Sequence, residues 1–136
     1  MNGIIRMYET VYLGLGTNLG NRLDNLKNTI DALSIHFGKP ILISSIYESE
    51  PWGFKSTDSF LNIVVSYRTK LKPIQTLEIC LSIEKKLGRK PKKGKDYESR
   101  IIDIDILIFG DKTIKQINLT IPHPYIENRL FVLEPL

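Results

Sequence analysis

The chain has 136 residues, 42% of them apolar and 25% charged, with 19 basic side chains against 15 acidic ones and a net charge of +4. That length suits one compact domain over residues 1–136, and the longest apolar run, residues 101–109, is cut by two aspartates, which excludes a membrane-spanning helix. Residues 1–10 lack the apolar core and small-residue cleavage site of a secretory signal, and the single cysteine, Cys80, excludes an internal disulfide, so the expected location is the cytoplasm.

Residues 8–16 are rich in β-formers and lead into Gly16-Thr17-Asn18-Leu19-Gly20-Asn21, which reads as a strand followed by a turn. From Arg22 the apolar positions Leu23, Leu26, Ile30, Leu33 and Phe37 recur at helical spacing, with Asn21 as N-cap and Gly38 and Pro40 as stop signals. Residues 41–47 and 60–67 read as two strands joined by a loop around Pro51-Trp52-Gly53. Pro73 opens a second helix carrying Ile74, Leu77, Cys80, Leu81, Ile83, Glu84 and Leu87, closed by Gly88, and Cys80 is expected to be a buried apolar residue of its face. Residues 101–109 form a further strand, turned at Gly110-Asp111, and the tail from Ile117 reads as irregular around Ile121-Pro122-His123-Pro124. The order strand, helix, strand, strand, helix, strand predicts an α+β, ferredoxin-like fold of about four core strands with helices mainly on one face of an antiparallel sheet.

The sharpest chemical signal is Arg100-Ile101-Ile102-Asp103-Ile104-Asp105-Ile106. On a strand, Asp103 and Asp105 share one face and the isoleucines share the other. Neighbouring carboxylates repel unless a cation lies between them, and magnesium, which takes one or two carboxylates and fills its shell with phosphate and water, is the natural occupant. An acidic, solvated edge strand accounts for the same pattern. Between Arg89 and Arg100 six basic residues face two acidic ones, and His123 and Arg129 follow in the tail. Guanidinium and ammonium groups beside a carboxylate pair suit a metal-bound triphosphate, and a lysine-rich loop containing Gly94 is a candidate lid. The turn Gly14-Leu15-Gly16-Thr17-Asn18-Leu19-Gly20 has neither dinucleotide-fingerprint spacing nor a Walker lysine, so its glycines are expected to serve a tight turn. Trp52, Phe54, Phe60 and Phe131 are candidate walls for a flat substrate, with Asn62 on the same strand face as Phe60.

Read together, Gly16 to Gly20, Ser44-Ser45-Ile46-Tyr47, Phe60-Leu61-Asn62, Ile83-Glu84 with Gly88-Arg89, Arg100 through Asp105, and Pro122-His123 with Asn128-Arg129-Leu130-Phe131 resemble the 6-hydroxymethyl-7,8-dihydropterin pyrophosphokinase family over almost the whole chain. The resemblance implies transfer of diphosphate from ATP to the hydroxymethyl group of the pterin, with release of AMP, in folate biosynthesis. It implies two magnesium ions at Asp103 and Asp105, catalytic-loop arginines at Arg89 and Arg100, and ATP contacts at Glu84, Ile106, Thr120, His123 and Arg129. It implies a pterin pocket of Asn18, Ser49, Glu50, Trp52, Phe60, Asn62, Tyr97 and Phe131. Leu81, Asn118 and Pro124 stand where some members have a glutamine, an arginine and a tyrosine, and Tyr97 replaces a tryptophan. Many members continue beyond the point matching Leu136, which leaves a naturally short form and a trimmed one open. The expected enzyme is a monomer that uses neither membrane nor nucleic acid, since the aromatic signature of a sheet that binds RNA is missing. A regulatory nucleotide-binding domain without turnover is the remaining alternative.

Overall fold

The computed structural model describes residues 7–49, 59–88, 101–116 and 119–123. Strand β1 (Glu9–Thr17) lies at the centre of an antiparallel sheet, between β4 (Phe60–Thr69) and β5 (Asp103–Phe109), with β2 (Leu42–Ile43) and β3 (Tyr47–Ser49) both paired to the outer side of β4. Helices α1 (Arg22–Phe37) and α2 (Pro73–Lys86) pack on one face, and β6 (Ile114–Gln116) pairs with β7 (Leu119–Ile121) as a separate hairpin that lies against β5. This is the ferredoxin-like order expected from the sequence, with β4 and β1 at the middle of the sheet and the last main strand, β5, beside β1 at its edge.

The two faces of the sheet follow from the two-residue period of its strands. Val11, Leu13 and Leu15 of β1, Leu61, Ile63, Val65 and Tyr67 of β4, and Ile104, Ile106 and Phe109 of β5 are buried against Leu26, Leu33, Cys80 and Ile83 of the helices. Each such aliphatic side chain contributes about 1.5–3 kcal/mol by leaving water. Phe109 joins this core because the β1–β5 register slips between Tyr12 and Leu13, where Tyr12 faces Ile108 but Leu13 faces Ile106. The extra residue, Leu107, packs with Val64 on the opposite face.

Helix α1 begins where the Asn21 side chain accepts the Asp24 N–H at 3.0 Å, and it stops at Gly38, whose φ of 83° suits glycine. Leu26 and Leu33 are buried as expected, but Leu23 is 60% exposed, since it sits on the first turn beyond the edge of the buried stripe. Pro73 opens α2, and the Lys72 N–H donates to Gln75 Oε1 at 2.9 Å. Leu81, expected on the buried face, is 51% exposed.

Two expectations are corrected. Residues 41–47 do not form one strand. From Ile43 to Tyr47 the edge advances four residues opposite three on β4, from Val65 to Asn62, so a bulge separates β2 from β3. Ser44 holds it: its N–H donates to the Val64 carbonyl and its Oγ accepts the Val64 N–H, each at 2.9 Å. The tail is also less irregular than expected, because Leu119–Ile121 is a strand with Leu119 and Ile121 buried in the core. Alternation over three residues is too short a signal to separate from a loop.

Cys80 is 1% exposed, and burial, reinforced by the negative charges of Glu84 and Asp105, pushes its thiol up to about 12 from 9.0. The neutral thiol is therefore favoured in the folded state, a contribution present below pH 9 and lost as pH rises through about 12. At pH 8 the native protein should react with an aromatic disulfide reagent about a thousandfold more slowly than the urea-unfolded chain. Rapid titration of the native thiol would contradict this burial.

Candidate active site

The sheet face turned away from the helices is where the predicted polar residues meet. In the register, Asn62 of β4 and Asp103 of β5 both pair with Gly16 of β1, forming one row across three strands. The next row is Val64, Gly14 and Asp105. Side chains in one row share a face, so Asn62 and Asp103 stand on either side of a bare strand, about 10 Å apart at two strand spacings.

The glycines at the centre were expected to serve a turn, and two of the three do not. Gly14 and Gly16 are strand residues, and only Gly20, with φ of 67°, lies in the turn that follows. A Cβ on Gly16 would come 3.2 Å from Asn62 Oδ1 and 3.7 Å from the Phe60 ring, and one on Gly14 would press on Leu107 at 3.3 Å. The missing side chains clear the floor of the face. The alternation Leu13, Gly14, Leu15, Gly16 was the sequence signal for this.

On the β4 side, Asn62 is 7% exposed and oriented by its neighbours. Its Nδ2 donates to Ser49 Oγ at 2.7 Å and to the Tyr47 carbonyl at 3.3 Å, which turns Oδ1 toward Gly16. The bulge at Ser44 sets the β3 register that puts Ser49 opposite Phe60. Asn18, just past β1, is fully buried, and the turn around it is tied by Asn25, whose Nδ2 donates to Thr17 Oγ1 at 3.1 Å and to the Leu19 carbonyl at 2.7 Å.

On the β5 side, Asp103 and Asp105 are partly exposed while Ile104 and Ile106 between and beyond them are buried. His123 follows β7, and its N–H donates to the Leu107 carbonyl at 2.9 Å, which fastens the tail to β5. Its Nε2 lies 3.9 Å from Asp105 Oδ2. Thr120 is partly exposed between the buried Leu119 and Ile121. The Ile106 side chain lies in the core, so a ligand would meet this residue through its main chain. Glu84 is 2% exposed, and its Oε2 accepts the Ile104 N–H at 2.7 Å. That contact between the second helix and the aspartate strand had no sequence signal.

Ten predicted site residues therefore have places. Asn62, Phe60, Ser49, Asp103, Asp105 and His123 come together around the face turned away from the helices, Asn18 lies beside it, Thr120 is on the adjoining hairpin, and Ile106 and Glu84 lie on the core side. Glu50, Trp52, Arg89, Tyr97, Arg100, Arg129 and Phe131, with the basic loop between the two arginines, lie outside the described residues.

Among the described residues no three His, Cys, Asp or Glu side chains cluster as a ready metal cage. Two carboxylates on an open face instead suit magnesium, which leaves most of its shell to phosphate and water.

The family model for 7,8-dihydro-6-hydroxymethylpterin-pyrophosphokinase matches residues 12–136. The 2-amino-4-hydroxy-6-hydroxymethyldihydropteridine pyrophosphokinase of Porphyromonas gingivalis is 44% identical over 128 residues, covering 93% of this chain and 87% of that protein. The enzyme of the same name from Aquifex aeolicus is 41% identical over 127 residues, covering 93% and 78%. A crystal structure of an HPPK-DHPS in complex with substrates shares the fold with a TM-score of 0.73 at 18% identity, and 93% of this chain spans 39% of that one. By the family model and by these relatives, the chain belongs to the 7,8-dihydro-6-hydroxymethylpterin-pyrophosphokinase family.

Proposed function

We propose that this chain transfers the terminal diphosphate of ATP to the hydroxymethyl group of 6-hydroxymethyl-7,8-dihydropterin and releases AMP, the reaction its family is named for. The observation behind it is the row Asn62, Gly16, Asp103. It sets a group that reads hydrogen bonds and a group that holds cations on opposite sides of a strand position without a side chain, a span that suits a two-ring heterocycle with a one-carbon arm. Asn62 Oδ1, turned toward Gly16, accepts from an N–H of the pterin edge while Ser49 and Tyr47 hold the amide in that orientation. Phe60 lies along one side of the same floor. The pterin arm then points toward Asp103 and Asp105.

The pterin oxygen attacks the β-phosphorus as the bond from that phosphorus to the oxygen shared with the α-phosphate breaks, and the electron pair departs with AMP. The hydroxyl proton is lost late, to one of the two carboxylates or to water. Magnesium at Asp103 and Asp105, which we take to be two ions, supplies charge neutralisation and alignment of the phosphates. His123, close to Asp105, and Thr120 adjoin the path of the nucleotide, and the main chain of Ile106 on the free edge of β5 offers it hydrogen bonds. Arg89, Arg100 and Arg129 complete the cationic side by resemblance to the family, with Glu50, Trp52, Tyr97 and Phe131 closing the pterin pocket. We infer a monomeric, cytoplasmic domain. Among the described residues no helix is long and apolar enough to cross a membrane.

The direct test is release of AMP that requires added hydroxymethyldihydropterin. AMP formation unaffected by the pterin, or absent with both substrates and magnesium present, would end this reading and favour a nucleotide-binding domain without turnover. Asp103→Asn and Asp105→Asn should each lower turnover by a factor of at least about 100, since each removes charge aimed at the transferring group. Their unfolding free energy without ligands should hold or rise, because a like-charge pair is relieved. Urea titrations beside the kinetics check both signs. Asn62→Ala should weaken pterin binding by about 1–3 kcal/mol while leaving the affinity for an unreactive ATP analogue nearly unchanged. Calorimetry with the two ligands separates a pocket residue from a structural one, which would weaken both.

A further inference from the structure

We propose that Glu84 is a positioning residue for the metal-binding strand, holding Asp103 and Asp105 in place through the main-chain amide of the residue between them. This rests on the assignment of the two aspartates to the cation.

Among the described residues β5 pairs with β1 on one side only, so the amides on its other side have no strand partner there within the sheet. The Ile104 N–H is one of these, and it donates to Glu84 Oε2 at 2.7 Å across the gap to α2. The bond lies at the level of the sheet, while the Asp103 and Asp105 side chains project from the open face and Ile104 projects into the core. Moving the main chain at Ile104 moves both carboxylates together. A carboxylate acceptor makes this a strong, short bond and fixes the height of the strand against the helix.

The choice of residue has no local explanation in the helix. Glu84 sits in the last turn of α2, where the helix macrodipole disfavours negative charge, and it is 2% exposed, where an ionised group is costly without compensating donors. Lys85 and Lys86 beside it are exposed and follow the usual pattern of a helix end. A leucine here would leave the Ile104 N–H without its carboxylate acceptor. The Ile104 amide is a donor that this buried acid holds directly. Groups that orient metal ligands without touching the metal commonly change affinity by about 10–100-fold when they are removed.

Reach and charge can be separated with two conservative variants. Glu84→Gln keeps the length of the side chain and its acceptor oxygen but loses the charge. Glu84→Asp keeps the charge and falls one methylene short of the amide. The probes are Mn2+ added alone, with the free ion counted by electron paramagnetic resonance, and hydrogen exchange of the Ile104 amide, neither of which needs turnover. If Glu84 positions the strand, Glu84→Gln should bind Mn2+ within about threefold of wild type and Glu84→Asp should bind it at least about tenfold more weakly. In the Asp variant the Ile104 amide should exchange at least about tenfold faster, while pterin affinity changes by less than about twofold. The reverse order, with the Asp variant near wild type and the Gln variant impaired, would overturn the proposal and make the charge the functional element. Equal Mn2+ affinity in all three proteins would also overturn it. Failure of the wild-type protein to bind Mn2+ would instead remove the assignment of Asp103 and Asp105 on which the proposal stands.

Discussion

Over its second half the central strand bears leucines on one face and glycines on the other, and the rest of the site is arranged around that asymmetry. Val11, Leu13 and Leu15 point into the helices, while on the opposite face Gly14 and Gly16 make room for Leu107, Asn62 and Phe60. Glycine inside a strand costs about 0.5–1 kcal/mol relative to alanine, and two of them in the middle strand are tolerated because the buried leucines hold the strand from the other side. With no side chain from β1 between them at Gly16, Asn62 of β4 and Asp103 of β5 flank it in one row. A two-residue period thus turns one strand into both a core element and the floor of a site.

The flanking strands are adjusted to that floor by single-residue irregularities. The bulge at Ser44 shifts the edge so that Ser49 comes opposite Phe60 and within reach of Asn62. The extra residue at Leu107 returns Phe109 to the core after the aspartates have used the open face. The His123 N–H fastens the tail to the Leu107 carbonyl at that same irregularity, which brings the imidazole beside Asp105. Each deviation from an ideal ladder falls next to a group assigned to substrate or cation. Bulges concentrate where a strand must re-aim its side chains.

Much of this was legible in the sequence, because its strongest signals are local. The cap at Asn21, the stop at Gly38, Pro73 at a helix start and the alternation through Asp103 and Asp105 each depend on neighbours a few residues away. The signals that failed depend on distant partners. Ile41 to Tyr47 reads as one β-branched run, and only the pairing of Ser44 with Val64 shows the interruption. Gly14 and Gly16 look like the start of a turn until Asn62 and Leu107 are seen to press on the space above them. Glu84 reads as a helix residue and, by resemblance, an ATP contact, but nothing local points to its bond to Ile104, which spans 20 positions of sequence.

The bare floor at Gly16 is the claim on which the account turns, and one variant tests it. Gly16→Val places a β-branched side chain at the middle of the row, against Asn62 and Phe60 and across the span between the amide and Asp103. Thermal unfolding, Mn2+ binding and pterin-dependent AMP release should be measured on the same preparation. The account predicts a folded protein that is less stable by about 1–3 kcal/mol, because the new side chain crowds Asn62 and Phe60, with Mn2+ affinity nearly unchanged. It predicts AMP release reduced by a factor of at least about 100, with pterin binding lost as the cause. A stable Gly16→Val protein that binds pterin and forms AMP at close to the wild-type rate would show that the substrate does not lie over this strand, and would contradict the account.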